Sequence, residues 1–272
     1  MRKMKILLTY TILIFGAFWT VLPFVWMFLS SFKDPNSIFT YPPEWIPKKW
    51  HFENYVEVWK IVPMGRWFLN SMIISFSVVI GNLFGSSLAS YAFATMNFRG
   101  KKTLFLILLA TMMVPYQVIL IPMFLLMKSL GWINSFKPLI VPAFTGSAFG
   151  IFLLRQFIMQ LPRDLFDAAK IDGANHFYIF TKITIPMIKP ALATLALFTF
   201  IGSWNDLLNP LIYLYDKEKY TLALGLTYFQ GQYAGYWHYL MAGSVIAVLP
   251  IIIVFFFTQR YFISGIKLSG FK

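Results

Sequence analysis

Few side chains in this chain of 272 residues are of types that do chemistry, and they are scattered. There is no cysteine, which excludes disulfides and thiol chemistry. The histidines His51, His176 and His238 fall in different predicted loops, without HxxxH spacing or a carboxylate cluster beside them, so no metal site is expected. Asp206 is the one acidic residue deep within an apolar run, and a carboxylate placed there is a functional candidate by default. A membrane-embedded enzyme would need His, Asp or Ser groups gathered at one depth. No catalytic residue is assigned, and the chain is not expected to be an enzyme.

The densest polar pattern is Asp167-Ala168-Ala169-Lys170-Ile171-Asp172-Gly173-Ala174, within a polar segment at 159–187. The chemistry it offers is docking. Pro162-Arg163-Asp164 opens a predicted short helix, with Asp164 as its N-cap and Asp167 adding a second carboxylate near the positive end of the helix dipole. Ala168 and Ala169 are strong helix formers with almost no side chain, so another surface can close over them. Gly173 falls where a helix stops, and Asn175 can cap a second helix from His176 towards Pro186 and Pro190. An ordinary connector between two spans would read the same way, and composition does not separate the two.

The elements that position these residues are membrane spans. The chain is 58% hydrophobic and 12% charged, against roughly 45–50% and 25% in soluble globular domains. Its mean hydropathy is +0.67. Apolar runs near 8–31, 68–95, 103–127, 138–158, 188–214 and 241–262 each reach the roughly 20 residues of a helical crossing. This predicts an all-α integral membrane protein, one transmembrane domain over 1–272. The first run is too long, and lacks the small-residue cleavage site, for a signal peptide. Arg2, Lys3 and Lys5 hold the N-terminus inside, which places 96–102, 159–187 and the tail after Arg260 in the cytoplasm. With Arg155, Lys189 and Arg260 at the span ends counted, that topology puts 14 of the 23 basic residues inside. The net charge of +13 then reads as the positive-inside bias and not as a nucleic-acid stripe.

Outside lie 32–67, the loop near Lys128–Lys137 and the loop from Asp216 to Tyr239. Trp45, Trp50, Trp59 and Trp67 read as an aromatic belt at the headgroups, or as contacts for an external partner. Tyr228, Phe229, Gln230, Gln232, Tyr233, Tyr236 and Trp237 suit sugar rings, a partner protein or interfacial anchoring. Gly81, Gly85, Ser86, Ala89 and Ser90 give the second span a small-residue face, read by default as internal packing.

Asp167-Ala168-Ala169 with Asp172-Gly173-Ala174, then Phe180, Ile183, Pro186 and Pro190, resembles the E-A-A-x-x-D-G-A loop and I-x-x-P continuation of ABC importer permeases. One departure is visible, Asp167 standing at the family's glutamate. The resemblance extends along the chain. Met113-Val114-Pro115 with Gln117 and Ile121-Pro122, Trp204-Asn205-Asp206 with Asn209-Pro210-Leu211, Thr221–Leu226 and Gln259–Ile266 resemble the carbohydrate-uptake, MalG-like, binding-protein-dependent branch. The resemblance implies a type I ABC importer permease fold, six spans with both termini cytoplasmic, in a bacterial inner (plasma) membrane. Its implied partners are a second homologous permease subunit, two cytoplasmic ATPase subunits, an extracytoplasmic solute-binding protein and membrane lipid. No cofactor is expected on this chain, because ATP and Mg would be used by the partner ATPase. Asp167, Ala168, Ala169, Asp172, Gly173 and Ala174 would form the ATPase-coupling contact.

Helical rise adds a pathway expectation. From Pro190, Asp206 lies roughly 24 Å across, and Gln117 lies about 21 Å across from Thr103, so Asn205, Asp206 and Gln117 could line one polar cavity. Asp206 bracing a helix kinked at Pro210 is the competing reading. The solute class read from the resemblance is a sugar or oligosaccharide. The alternatives are a polyol or glycerol phosphate derivative carried by the same machinery, or an ion-coupled secondary carrier, which should show internal repeats.

Overall fold

An apolar run in lipid must satisfy every backbone N–H and C=O within itself, and a helix does so. The computed structural model describes residues 2–231 and 235–269, and among them every regular element is helical. The principal helices are α1 (Arg2–Ser30), α2 (Asn54–Ile61), α3 (Met64–Thr95), α4 (Lys101–Thr111), α5 (Tyr116–Ser129), α6 (Ala148–Met159), α7 (Arg163–Ile171), α8 (His176–Met187), α9 (Lys189–Trp204), α10 (Leu208–Tyr213) and α11 (Trp237–Ser269). Four stretches, Lys3–Ser30, Met64–Thr95, Lys137–Met159 and Trp237–Arg260, are long and apolar enough to cross a membrane. Two bent pairs, α4 with α5 (98°) and α8 with α9 (77°), bring the number to six if each pair is one span.

The expected span at 103–127 is therefore bent, and the one at 188–214 begins after the α8–α9 bend and is interrupted further on, for reasons of backbone chemistry. Pro115 has no N–H to continue α4 and stands in extended conformation (φ −60°, ψ 135°) before α5. Pro210 cannot donate to the carbonyl of Asp206, and its ring crowds that carbonyl. α9 accordingly ends at Trp204 and α10 starts at Leu208.

The chain divides into two compact units. In the first, Met1–Gly65 with Leu224–Pro250, the loop after α1 folds on itself. Asn54 donates to the carbonyls of Ser31 (2.9 Å) and Lys33 (3.1 Å). Lys33 is buried, with its ammonium 3.9 Å from the Trp26 ring centre and donating to Glu44 O at 2.5 Å, and the negative charge of Glu44 also acts on it. The Tyr239 hydroxyl donates to the Glu57 carboxylate.

The second unit, Arg66–Ala223 with the chain from Ile251, is assembled on α3. A Cβ on Gly85 would stand 2.3 Å from Phe144 O, and one on Gly81 2.7 Å from the Phe144 ring. The small-residue face of α3 thus packs internally, as expected. Beside it, Asn82 donates to Thr199 Oγ1 (2.7 Å) and accepts from Ser86 Oγ (2.8 Å) and Ser147 N (2.9 Å), tying α3 to α9 and to the start of α6. Tyr91, Leu154, Ile158, Ala169, Ile179, Ile188, Ala191 and Leu195 form one buried cluster joining α3, α6, α7, α8 and α9. On another side of the unit, Asn134, in a left-handed conformation (φ 59°), accepts from Tyr215 N and Asp216 N and donates to Asp216 Oδ2. The Lys219 ammonium at 2.8 Å, with that amide, holds the Asp216 carboxyl below its usual pKa.

Candidate functional site

The 159–187 segment is two helices about a fixed glycine turn. α7 begins at Arg163 after Pro162, which occupies the N-cap position; Asp164 lies in the first turn and is not the cap that the spacing predicted. It still complements the helix dipole there, as Lys170 does in the last turn. At the other end Gly173 N donates to Lys170 O (3.0 Å) and Ala174 N to Ala169 O (2.9 Å), with Gly173 at φ +81°. This pair of bonds is the Schellman closure, and its left-handed residue strongly favours glycine. Asn175 Oδ1 then accepts from Tyr178 N at 2.8 Å and caps α8.

The two alanines do different work. Ala169 is 8% exposed and sits in the cluster with Tyr91, Leu154 and Ile188, whereas Ala168 faces outward. Asp167 is exposed, with Lys170 3.7 Å away, and Asp172 and Gly173 are exposed. Ala174 is half-buried. Two large apolar side chains flank this face, Ile171 at 86% and Phe177 at 74% exposure. Neither stood out in the sequence, although each lies within three residues of Gly173 or Ala174. α8 continues through a π-helical stretch, Ile179–Thr184, where the Thr184 hydroxyl donates to the Ile179 carbonyl five residues back (3.2 Å). Such stretches are rare and mark functional positions more often than chance. The result is an exposed knuckle packed onto α3, α6 and α9 by Ala169 and Ile179, with Phe166, Ala174, Phe180 and Ile183 against the same cluster.

A second feature is a cavity of about 280 Å³ within the helices of the second unit. Its polar lining is Tyr116, Thr199, Ser203, Asp206, Asn209 and Tyr213. Asp206 accepts from Asn209 N (3.1 Å) and Asn209 Nδ2 (2.8 Å), and the Tyr116 hydroxyl donates to Asn209 Oδ1. Asp206 thus accepts an amide of the first turn of α10 and also lines the cavity. Asn205 and Gln117 are exposed and do not line this cavity. The depth of Gln117 was reckoned along a straight helix, and beyond the 98° bend Tyr116, not Gln117, borders the cavity. Tyr116 and Asn209 were missed, though their prolines, Pro115 and Pro210, signalled the breaks that present them.

Of the tryptophans assigned to the headgroup belt, Trp45, Trp50 and Trp59 are exposed, but Trp67 is 1% exposed and donates to Lys217 O at 2.7 Å. Phe229 is buried as well. Gln232 and Tyr233 lie outside the described residues, as do the side chains of the tail after Arg260.

Residues 81–268 match the family of binding-protein-dependent transport system inner membrane components. The chain belongs to this family. It is therefore a permease-type membrane component, and the polar knuckle and the polar lining of the cavity both lie within the matched residues. The chain is 39% identical over 227 residues to the arabinooligosaccharides transport system permease protein AraQ of Bacillus subtilis, covering 83% of this chain and 80% of that protein. It is 35% identical over 271 residues to the osmoprotective compounds uptake permease protein GgtD of Synechocystis, covering 96% and 90%. A crystal structure of a bacterial ABC transporter involved in the import of the acidic polysaccharide alginate contains a similar chain, with TM-score 0.84, 25% identity, and 96% and 97% of the two chains covered.

Proposed function

We propose that this permease is the membrane-spanning subunit of an ATP-driven, binding-protein-dependent importer of sugars or oligosaccharides, and that it is driven through the turn between α7 and α8. The observation that carries this reading is the glycine-locked knuckle with Ala169 buried among α3, α6 and α9, because a push on its exposed face moves the spans with it. Counting each bent helix pair as one crossing supports six spans, and the basic residues Arg2, Lys3 and Lys5 support a cytoplasmic side for both termini and the knuckle. Asp167, Ala168, Asp172, Gly173 and Ala174 present the face that a cytoplasmic ATPase subunit grips, and Ala169 transmits the movement. ATP and Mg are used by that partner, so this chain contributes no catalytic group. A second permease completes the pathway, and a solute-binding protein delivers the solute from outside.

In the pathway, Asp206, Asn209 and Tyr116 offer a carboxylate, an amide and a phenol to a polyhydroxylated solute, a donor and acceptor set suited to hydroxyl groups. Replacing Asp206 by Asn keeps its size and removes a charged acceptor, whose hydrogen bonds are worth about 1.5–3 kcal/mol. Asp206→Asn is expected to lower solute-stimulated uptake about tenfold while expression is kept. The relation to GgtD gives the alternative, an osmoprotective compound carried by the same mechanism.

The test is to co-express the chain with partner permease, ATPase and binding protein and to measure solute-stimulated ATP hydrolysis over a panel of sugars and polyols. Gly173→Asp is expected to abolish stimulation, because a side chain at φ +81° is strained and a third carboxylate enters the docking face. Intact assembly together with intact stimulation in that variant refutes the coupling assignment.

A further inference from the structure

A separate cavity of about 340 Å³ lies where α3 closes at Thr95, α4 opens at Lys101 and α6 ends at Met159, and α7 and α8 form its remaining walls. Its basic side chains are Lys101, Arg163, Lys170 and His176, and it has a single carboxylate, Asp167. That carboxylate is engaged by Lys170 at 3.7 Å. Among the described residues no acidic group lies within ion-pair distance of Lys101 or Arg163, and Lys101 feels the like charge of Arg155 and Arg163. Lys101 spends one donor on Met96 O (2.7 Å), and the Tyr91 hydroxyl and His176 Nδ1 share a hydrogen bond at 3.1 Å. Asn97 and Thr95 add neutral polar groups to the wall.

Two unmatched cations beside a polar concavity repel each other until an anion enters. The position also matters, since basic pockets between spans at the membrane surface are where anionic headgroups are held. We infer that this cavity binds a phosphoryl group, held by Lys101 and Arg163, supplied either by an anionic phospholipid headgroup or by free phosphate. An oxyanion with several acceptors suits a guanidinium and an ammonium on converging walls, and the neutral donors can complete its shell. The argument from position rests on the topology proposed above, whereas the pair of cations stands on the geometry of the cavity alone.

The full chain, purified in detergent, is titrated in one arm with short-chain phosphatidylglycerol, read by native mass spectrometry, and in the other with inorganic phosphate, read by phosphorus NMR. Lys101→Gln and Arg163→Gln each remove one cavity cation. Lys102→Gln removes an exposed charge at the same end of α4 that does not line the cavity, and Lys101→Arg keeps the charge in place. Each glutamine at 101 or 163 is expected to weaken binding about tenfold, with Lys102→Gln unchanged and Lys101→Arg near the parent. Loss confined to the phosphatidylglycerol arm identifies a lipid headgroup, and loss in the inorganic phosphate arm a soluble ligand. Equal binding by parent, Lys101→Gln, Arg163→Gln and Lys102→Gln would mean general surface attraction and overturn the proposal. So would the absence of binding in both arms for the parent chain.

Discussion

At the scale of single residues, the structure separates positions that carry conformation from positions that carry contact. Gly85 has no room for a side chain, since a Cβ would lie 2.3 Å from Phe144 O and 2.4 Å from Gly146 N. Gly85→Ala is expected to cost roughly 1–3 kcal/mol by overpacking, read as a lower midpoint of thermal unfolding in detergent. Gly173 is the opposite case, open around its missing Cβ and constrained only by its backbone. Its substitution acts through the geometry of the turn and the face it shapes, so it should affect coupling more than stability. Asp167 is one methylene shorter than the glutamate it resembles, and Lys170 beside it keeps the carboxylate close to the helix surface.

At the scale of elements, the stiffness of the knuckle comes from bonds at both sides of the glycine. Asn175→Ala removes the cap of α8 and is expected to cost about 1 kcal/mol. Hydrogen–deuterium exchange should show the amides of 176–178 exchanging faster, with those of α6 unchanged. The turn at Gly173 and the cap at Asn175 were legible in the sequence because both obey local backbone rules. Four of the six apolar runs were legible too, each standing as a helix long enough to cross a membrane. The breaks at Pro115 and Pro210 were signalled, but a run of apolar residues looks continuous whatever its prolines do to the axis. That is why Gln117 was placed facing the pathway and Tyr116 was passed over. Trp67 shows a different limit, for its burial depends on the Lys217 carbonyl, 150 residues away in sequence.

At the scale of the whole molecule, the account joins an exposed docking face to a polar cavity among the spans without a catalytic group between them. Charge supports the arrangement: the cationic residues near α7 suit the inner side of a membrane, while the one carboxylate placed deep in an apolar run, Asp206, faces the cavity. The central claim is that the outer face of the α7–α8 turn seats against an ATPase. The chain has no cysteine, so single cysteines report cleanly. In the assembled transporter, Ala168→Cys and Phe177→Cys should cross-link through a short bismaleimide to cysteines in the ATPase cleft, and the buried Ala169→Cys should not. Absence of cross-links from Ala168→Cys and Phe177→Cys in a complex that still transports solute would contradict the account.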